Sequence, residues 1–520
     1  MRNKTICLTL GILTYTTGHA ESYINEYRPN VVFIYADDMG RGMLSHFGQK
    51  YIETPNIDRI FEQGTSFEYA YGCTYSAPAR ASLLTGYNDC RGDKWNIPRG
   101  GPYLTVKNYK DLERVEHKID SARIEPPIGD LLLPQIFKRA GYVTGQFGKL
   151  DWGFASTRKQ IHEHGWDEYC GYMDHRAAHA FYPHYFLEND SIVWFKGNTA
   201  PDWGLGTEEE SPAAYKKRWD MTGKAVHAQD IFIDRMVHFI RKHNHEPFFM
   251  WHSTNLPHGP VAVKEIYPEI QKIKGLTSIE KEYLTMVKML DNTVGTVFEE
   301  LKKNKLLDHT LIIFSADNGH DTYYNVGNRC RNVPSRDKQG KVFDSWDYPF
   351  LSKLSGDLFN GNDGMTGKKR DNFEGGVRVP LAIWYPGHIR AGKKLNQVVT
   401  NYDWPTTFAD LFDIKLPYKK DGESLMPLLT GGKDKLSKER YVFMNSRTGP
   451  SVVDSNHWKL RYNTKKKAYR LFYLPNDYNE EYPMNDKRPD IMEKLKKQLA
   501  PYPTIGYAPG LTIEVIHEEK

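Results

Sequence analysis

Two short runs of apolar, β-branched and aromatic residues each end abruptly in acid and amide side chains. Asn30–Ala36 (NVVFIYA) leads into Asp37-Asp38-Met39-Gly40, and Thr310–Ala316 (TLIIFSA) into Asp317-Asn318-Gly319-His320. A strand that shows no polar alternation has both faces covered, which is the situation of a parallel sheet with helices on either side. The runs therefore predict an α/β fold: a large mixed, mostly parallel sheet sandwiched by helices. In open sheets of this kind ligands gather beyond the carboxyl ends of the strands. Adjacent acids there repel unless a cation compensates them, and oxygen donors repeated at two strand ends suit a hard cation. A solvated turn is the competing reading of each cluster.

The rest of the chain alternates accordingly. Thr54 and Pro55 open a helix, and an amphipathic helix followed by a strand over 129–150 delivers Lys149, either to solvent or to an anion. A helix from His227 to Arg241 feeds a strand, Pro247 to His252, which runs on to Asn255-Leu256-Pro257-His258. Another helix carries Tyr283, Met286, Leu290, Val294, Val297 and Leu301 at spacings of three and four. After Leu429 this alternation fades. Short strands over Arg440 to Leu474 and a helix over Asp490 to Leu499 predict a small antiparallel subdomain within 430–520, beside a main domain at 21–429. The chain's 520 residues exceed one simple core.

The first twenty residues carry Arg2 and Lys4, an apolar stretch from Ile6 to Leu13, and Gly18-His19-Ala20. This predicts a cleaved signal peptide, hence export. No later segment is apolar enough to span a bilayer, so no membrane span is expected. The net charge of +5, with no basic run interleaved with aromatics, argues against a nucleic-acid partner. The mature chain keeps Cys73, Cys90, Cys170 and Cys330, which allow three disulfide pairings that the sequence leaves open.

Two stretches carry candidate chemistry. Ser76 to Gly86 (SAPARASLLTG) reads as a helix entry with Ser76 as N-cap, Pro78 in the first turn, and Leu83 and Leu84 turned inward. A nucleophile in that position also sits where backbone N–H groups favour an anion. From Asp167 to Trp194 the chain is crowded with His, Tyr and Phe. His175, Arg176, His179 and His184 there belong either to a packed aromatic insertion or to a sugar-binding wall.

Taken in chain order, ADDMG, TPNIDRI, SAPARASLLTG, the strand-end Lys149, LPHGP, SADNG, KRDNFEGGVRVP and DGESLMPLL resemble the type I sulfatases of the alkaline phosphatase superfamily. The resemblance spans nearly the whole mature length. It implies the alkaline phosphatase-like fold and a catalytic domain over 21–429. Ser76 would be oxidised to formylglycine, whose hydrate attacks sulfur; the serine-type motif implies a bacterial enzyme matured by an anaerobic sulfatase-maturating enzyme. Asp37, Asp38, Asp317 and Asn318, with residue 76, would hold Ca2+. Arg80 and Lys149 would neutralise the diol and sulfate, and Lys369 the sulfate's outer oxygens. His258 would protonate the leaving group.

The implied substrate is a sulfated glycan, sulfated galactose or N-acetylhexosamine of host or algal origin, met in the periplasm or outside the cell. The His175 to His184 segment would then line the sugar subsite. One position departs from the family pattern: Asp151 stands where a histidine is usual, so it either accepts a proton from the diol or is structural. Two other functions remain. A phosphatase or phosphodiesterase using unmodified Ser76 conflicts with the Pro78 and Arg80 spacing. An inactive glycan-binding protein conflicts with the retention of all four metal ligands.

Overall fold

The computed structural model describes residues 28–91, 100–121, 129–152, 156–206, 208–324, 335–430 and 436–502. The predicted signal peptide and Cys330 lie outside the described residues. Ten strands form one sheet: β1 (Asn30–Ala36), β2 (Thr65–Tyr71), β3 (Val143–Lys149), β4 (Glu168–Tyr172), β5 (Tyr185–Glu188), β6 (Ser191–Trp194), β7 (Phe248–Ser253), β8 (Thr310–Ala316), β9 (Leu381–Trp384) and β10 (Lys393–Thr400). Their order is β10-β2-β9-β8-β1-β7-β3-β4-β5-β6. The centre, β8-β1-β7-β3-β4, is parallel throughout, while β9 and the β5–β6 hairpin run antiparallel to their neighbours. This is the mixed, mostly parallel sheet that the uninterrupted apolar runs predict.

Strand β7 shows how the sheet is covered. Phe249 stacks on Phe137 of the helix Leu133–Arg139, and Trp166 stacks on both Phe249 and Trp251. The alternate residues Phe248 and His252 meet Phe239 and Phe232 of the helix Ala228–Lys242. Successive side chains of a strand point to opposite faces, so the two helices lie on opposite sides of the sheet. Residues 248–251 are wholly buried, and such side chains contribute roughly 1.5–3 kcal/mol each. Cys73, Cys90 and Cys170 are free thiols, and no helix among the described residues is long and apolar enough to cross a membrane.

A second, antiparallel sheet follows, β11 (Tyr441–Met444), β12 (Ser451–Asp454), β13 (Trp458–Asn463) and β14 (Ala468–Tyr473), paired in chain order. The helix Pro489–Leu499 buries Leu495 and Leu499 against it. Val442, Met444 and Val453 of this sheet share an apolar cluster with Tyr69, Tyr71 and Val398 of the first.

A buried polar joint accompanies that cluster. Lys459 Nζ lies 2.8 Å from Glu374 Oε1 and 3.1 Å from Glu480 Oε1. Arg378 Nε and the Tyr71 hydroxyl both donate to Glu374 Oε2. Burial alone lifts the Glu374 carboxyl, but Arg378 and Lys459 outweigh it and hold it at about 2. Removing one member of such a pair strands buried charge. Lys459→Met should therefore cost about 3–5 kcal/mol of unfolding free energy at neutral pH, read by urea denaturation. A loss well under 1 kcal/mol would show the joint to be dispensable.

Candidate active site

Four neighbouring strands deliver side chains to one sheet edge. The β1–β8 register pairs Ala36 with Ala316, so Asp37 and Asp317 emerge side by side, joined by Asp317 N donating to Ala36 O at 3.1 Å. Asp317 Oδ1 accepts from the backbone N–H groups of Asp38 at 2.9 Å and Asn318 at 2.8 Å. Asn318 Nδ2 donates to Asp38 Oδ1 at 2.8 Å. Asp38 turns at φ 60, a left-handed conformation that a short polar side chain tolerates. The segment leading to Ser76 lies directly on this edge: Cys73 N donates to Asp317 O at 3.0 Å, and a Cβ on Gly72 would fall 2.1 Å from that oxygen. Only glycine permits the approach.

Ser76 is the first residue of the helix Ser76–Thr85, and Tyr75, in extended conformation, takes the N-cap place predicted for Ser76. The reason is that the Ser76 hydroxyl is engaged elsewhere, donating to Asp37 Oδ1 at 2.6 Å instead of capping the helix. One turn on, the fully buried Arg80 donates to Ser253 Oγ and, at 3.2 Å, to Thr254 O. Its Nη2 lies 3.5 Å from Asp317 Oδ2 and 3.8 Å from Asp37 Oδ2. Lys149, at the end of β3, pairs with Asp37 Oδ2. Lys369 Nζ sits 2.6 Å from Asp38 Oδ2 and 3.0 Å from His258 Nε2. The His258 ring is held between His179, stacked at 4.5 Å, and Tyr323 at 5.0 Å.

Three buried carboxylates thus face three buried cations. Burial, then the neighbouring carboxylates of Asp37 and Asp38, push the Asp317 carboxyl well up. Burial would do the same to Asp37, but Lys149, His258, Arg80 and Lys369 hold it well below the usual range. Burial pulls Lys149 down against the opposing pull of Asp37. Burial and Lys369 together pull His258 well down. Among the described residues, Asp37, Asp38 and His258 form a group close enough to share a metal ion. The oxygens suit a cation independently: Asn318 Oδ1 is buried and accepts no hydrogen bond, and Asp317 Oδ2 accepts none beyond its 3.5 Å ion pair with Arg80. Orphaned buried oxygens beside carboxylates fit a hard divalent ion such as calcium.

Of the predicted sugar-binding residues, His175 and His179 reach the edge of the cluster. Burial, with Lys149 and Lys369 nearby, brings the His175 imidazole to about 3. Arg176 is exposed and lies against Gly101, whereas His184 packs edge-on against Trp194 of the β5–β6 hairpin. Asp151, just after β3, accepts from Ser156 Oγ at 2.6 Å and pairs with His164 Nδ1 at 2.9 Å. Burial raises the Cys73 thiol, so it is a poor nucleophile. Sequence reasoning missed Tyr323, whose hydroxyl donates to Asp38 Oδ2, and Ser253 and Thr254, which anchor Arg80. Position held a signal for Ser253 and Thr254, at and just beyond the end of the buried strand β7, but none for Tyr323.

The sulfatase family model matches residues 29–414, and the N-sulphoglucosamine sulphohydrolase C-terminal model matches residues 363–503. Human N-acetylgalactosamine-6-sulfatase is 29% identical over 414 residues, 78% of this chain, which spans 66% of that relative's length. An N-acetylgalactosamine-6-O-sulfatase of Bacteroides thetaiotaomicron is 26% identical, with 91% of this chain and 93% of the relative aligned. A solved structure described under the metabolism of multiple glycosaminoglycans by Bacteroides thetaiotaomicron superposes with a TM-score of 0.66 at 21% identity. The superposition covers 91% of this chain and 98% of the other. With one family model running from β1 past β10, the chain belongs to the sulfatase family.

Proposed function

We propose that the protein is an exported bacterial sulfatase that hydrolyses sulfate esters on carbohydrates, with a formylglycine made from Ser76 and a bound calcium ion. The observation that carries this reading is the position of Ser76. Its hydroxyl sits at a helix N-terminus, bonded to Asp37, one of three buried carboxylates that pair with Arg80, Lys149 and Lys369. Preorganised positive charge of this kind stabilises a transferring sulfuryl group, by analogy with phosphoryl transfer. Asp37, Asp38, Asp317 and Asn318 would hold the ion. With an ion there to compensate the carboxylates, the charges of Lys149 and Lys369 would be left for an anionic ester. Formylglycine supplies a hydrated aldehyde as the nucleophile in place of a weakly nucleophilic serine.

The relatives named for N-acetylgalactosamine 6-sulfate support an N-acetylhexosamine or galactose sulfate as substrate. His175 and His179, at the edge of the cluster, would contact the sugar, joined by Arg176 and, from the hairpin, His184. The signal-like residues 1–20 support export to the periplasm or beyond, and the serine motif supports maturation by an anaerobic sulfatase-maturating enzyme.

His258 is proposed as the proton donor. A sugar alkoxide leaves poorly without a proton, and His258 Nε2 shares a 3.0 Å contact with Lys369 Nζ. A bound sulfate would offset Lys369 and so oppose one of the two main causes that depress the ring.

Three outcomes are expected. Produced with a serine-type maturase, the protein should lose two hydrogens at Ser76 by peptide mass spectrometry and release sulfate, not phosphate, from matched nitrophenyl esters. An aldehyde at Cys73, or full activity in Ser76→Ala, would overturn the reading. Asp317→Ala should bind no calcium by titration calorimetry and turn over no substrate while keeping the parent circular dichroism; near-parent rates would remove Asp317 from the metal site. His258→Ala should lose roughly 10²–10⁴-fold in kcat on a sugar sulfate and far less on nitrophenyl sulfate, whose leaving group needs no proton. Equal losses would assign His258 to sulfate or metal binding instead.

A further inference from the structure

The residue before Ser76 is flanked by guanidinium groups from two distant parts of the chain. Thr74 is pinned twice: its carbonyl accepts from Arg370 N at 3.0 Å, and its hydroxyl donates to Asn445 O at 2.8 Å. The first contact lays the Lys369-Arg370 loop along Tyr75. The second draws in the β11–β12 loop of the C-terminal sheet, from which Arg447 reaches over the Tyr75 ring, 5.4 Å from its centre. The Tyr75 phenol responds to both arginines: burial raises its pKa, and Arg447 and Arg370 oppose the rise. Arg370 holds φ 84, a left-handed conformation that a long side chain rarely adopts and that clusters at functional positions.

The charge beside Tyr75 is unbalanced. Asp321 pairs with both Arg370 Nη1, at 2.6 Å, and Lys368 Nζ, at 2.7 Å. Burial would lift the Asp321 carboxyl, but those two cations hold it well below the usual range. Asp371, the other carboxylate nearby, is bonded to Ser345 Oγ and lifted by burial. Arg447 is exposed and has no carboxylate partner among the described residues. Lys368 and Arg370 therefore share the Asp321 carboxylate while Arg447 has none, outside the group of charges around Asp37 and Asp38.

We propose that Arg370, Arg447 and Tyr75 form a second anion subsite adjoining Ser76. It takes a carboxylate or an additional sulfate elsewhere on the glycan whose ester is cleaved. The proposal rests on the sulfated-carbohydrate reading above and adds a specificity determinant to it. Guanidinium forks match planar carboxylate and sulfate oxygens in pairs, which a lysine does not. Because Arg447 comes from the C-terminal sheet, selection among glycans would be divided from sulfuryl transfer, which depends on the main sheet.

The test compares Arg447→Ala with the parent on four substrates: an N-acetylhexosamine 6-sulfate with no other anion, the same sugar linked to a uronic acid, the methyl ester of that disaccharide, and the sugar with a second sulfate. The quantity read is kcat/KM on each relative to the first. At least one dianionic ratio should fall about tenfold, equivalent to about 1.4 kcal/mol, and fall further in Arg447→Glu. A fall for the uronate that vanishes in its methyl ester identifies a carboxylate site; a fall confined to the disulfated sugar identifies a sulfate site. Ratios within about twofold of the parent's on every substrate would overturn the proposal. Should the parent release no sulfate at all, the enzymatic reading fails separately. The affinities of the parent and Arg447→Ala for the same glycans, by titration calorimetry, then decide the subsite alone, and equal affinities overturn it.

Discussion

Three carboxylates packed side by side at one sheet edge and shut away from water cannot all stay ionised unless positive charge is placed among them. Asp37, Asp38 and Asp317 impose that requirement, and much of the molecule answers it. The parallel register of β1 and β8 creates the crowding by bringing two acids to neighbouring strand ends. Relief comes from three separate places: Lys149 from β3, Arg80 from the helix behind Ser76, and Lys369 from a loop some fifty residues downstream of β8. Arg80 is itself fixed by Ser253 and Thr254 at the end of β7. The four adjacent strand ends are thus bound electrostatically as well as by the sheet.

The same arrangement explains why a serine hydroxyl at a helix entry is not a cap. A capping serine folds back on its own helix, whereas Ser76 donates outward to Asp37. The helix start moves by one residue as a result, and the backbone N–H groups of its first turn stay near whatever occupies the cluster. Local helix chemistry yields here to a tertiary contact between residues 39 positions apart.

What was legible in the sequence follows from this. β1 and β8 run over the residues predicted, because full burial on both faces leaves an unbroken apolar signal with sharp polar ends. The cluster residues stand at those ends and inherit the same legibility. Side chains in irregular segments do not. Tyr323 lies in a run with no period, and nothing in its surroundings marks it as a donor to Asp38. The His175 to His184 stretch shows the limit from the other side: one composition places His179 against His258 and turns His184 to Trp194. The small second sheet was visible as a change of pattern, but its joint to Glu374 was not. Lys459 and Glu480 look like ordinary surface charges until the fold buries them.

The bond between the Thr74 hydroxyl and the Asn445 carbonyl spans 371 positions of sequence. A ribosome produces the serine segment early and the strand that rests on it late. Until the last quarter of the chain has emerged, the residues before Ser76 lack one of their anchors, and the C-terminal sheet cannot close over Tyr75. Enclosure of the serine is therefore a matter of timing in synthesis: the residues that close over its neighbours are made last, and in the folded chain Ser76 is left 7% exposed.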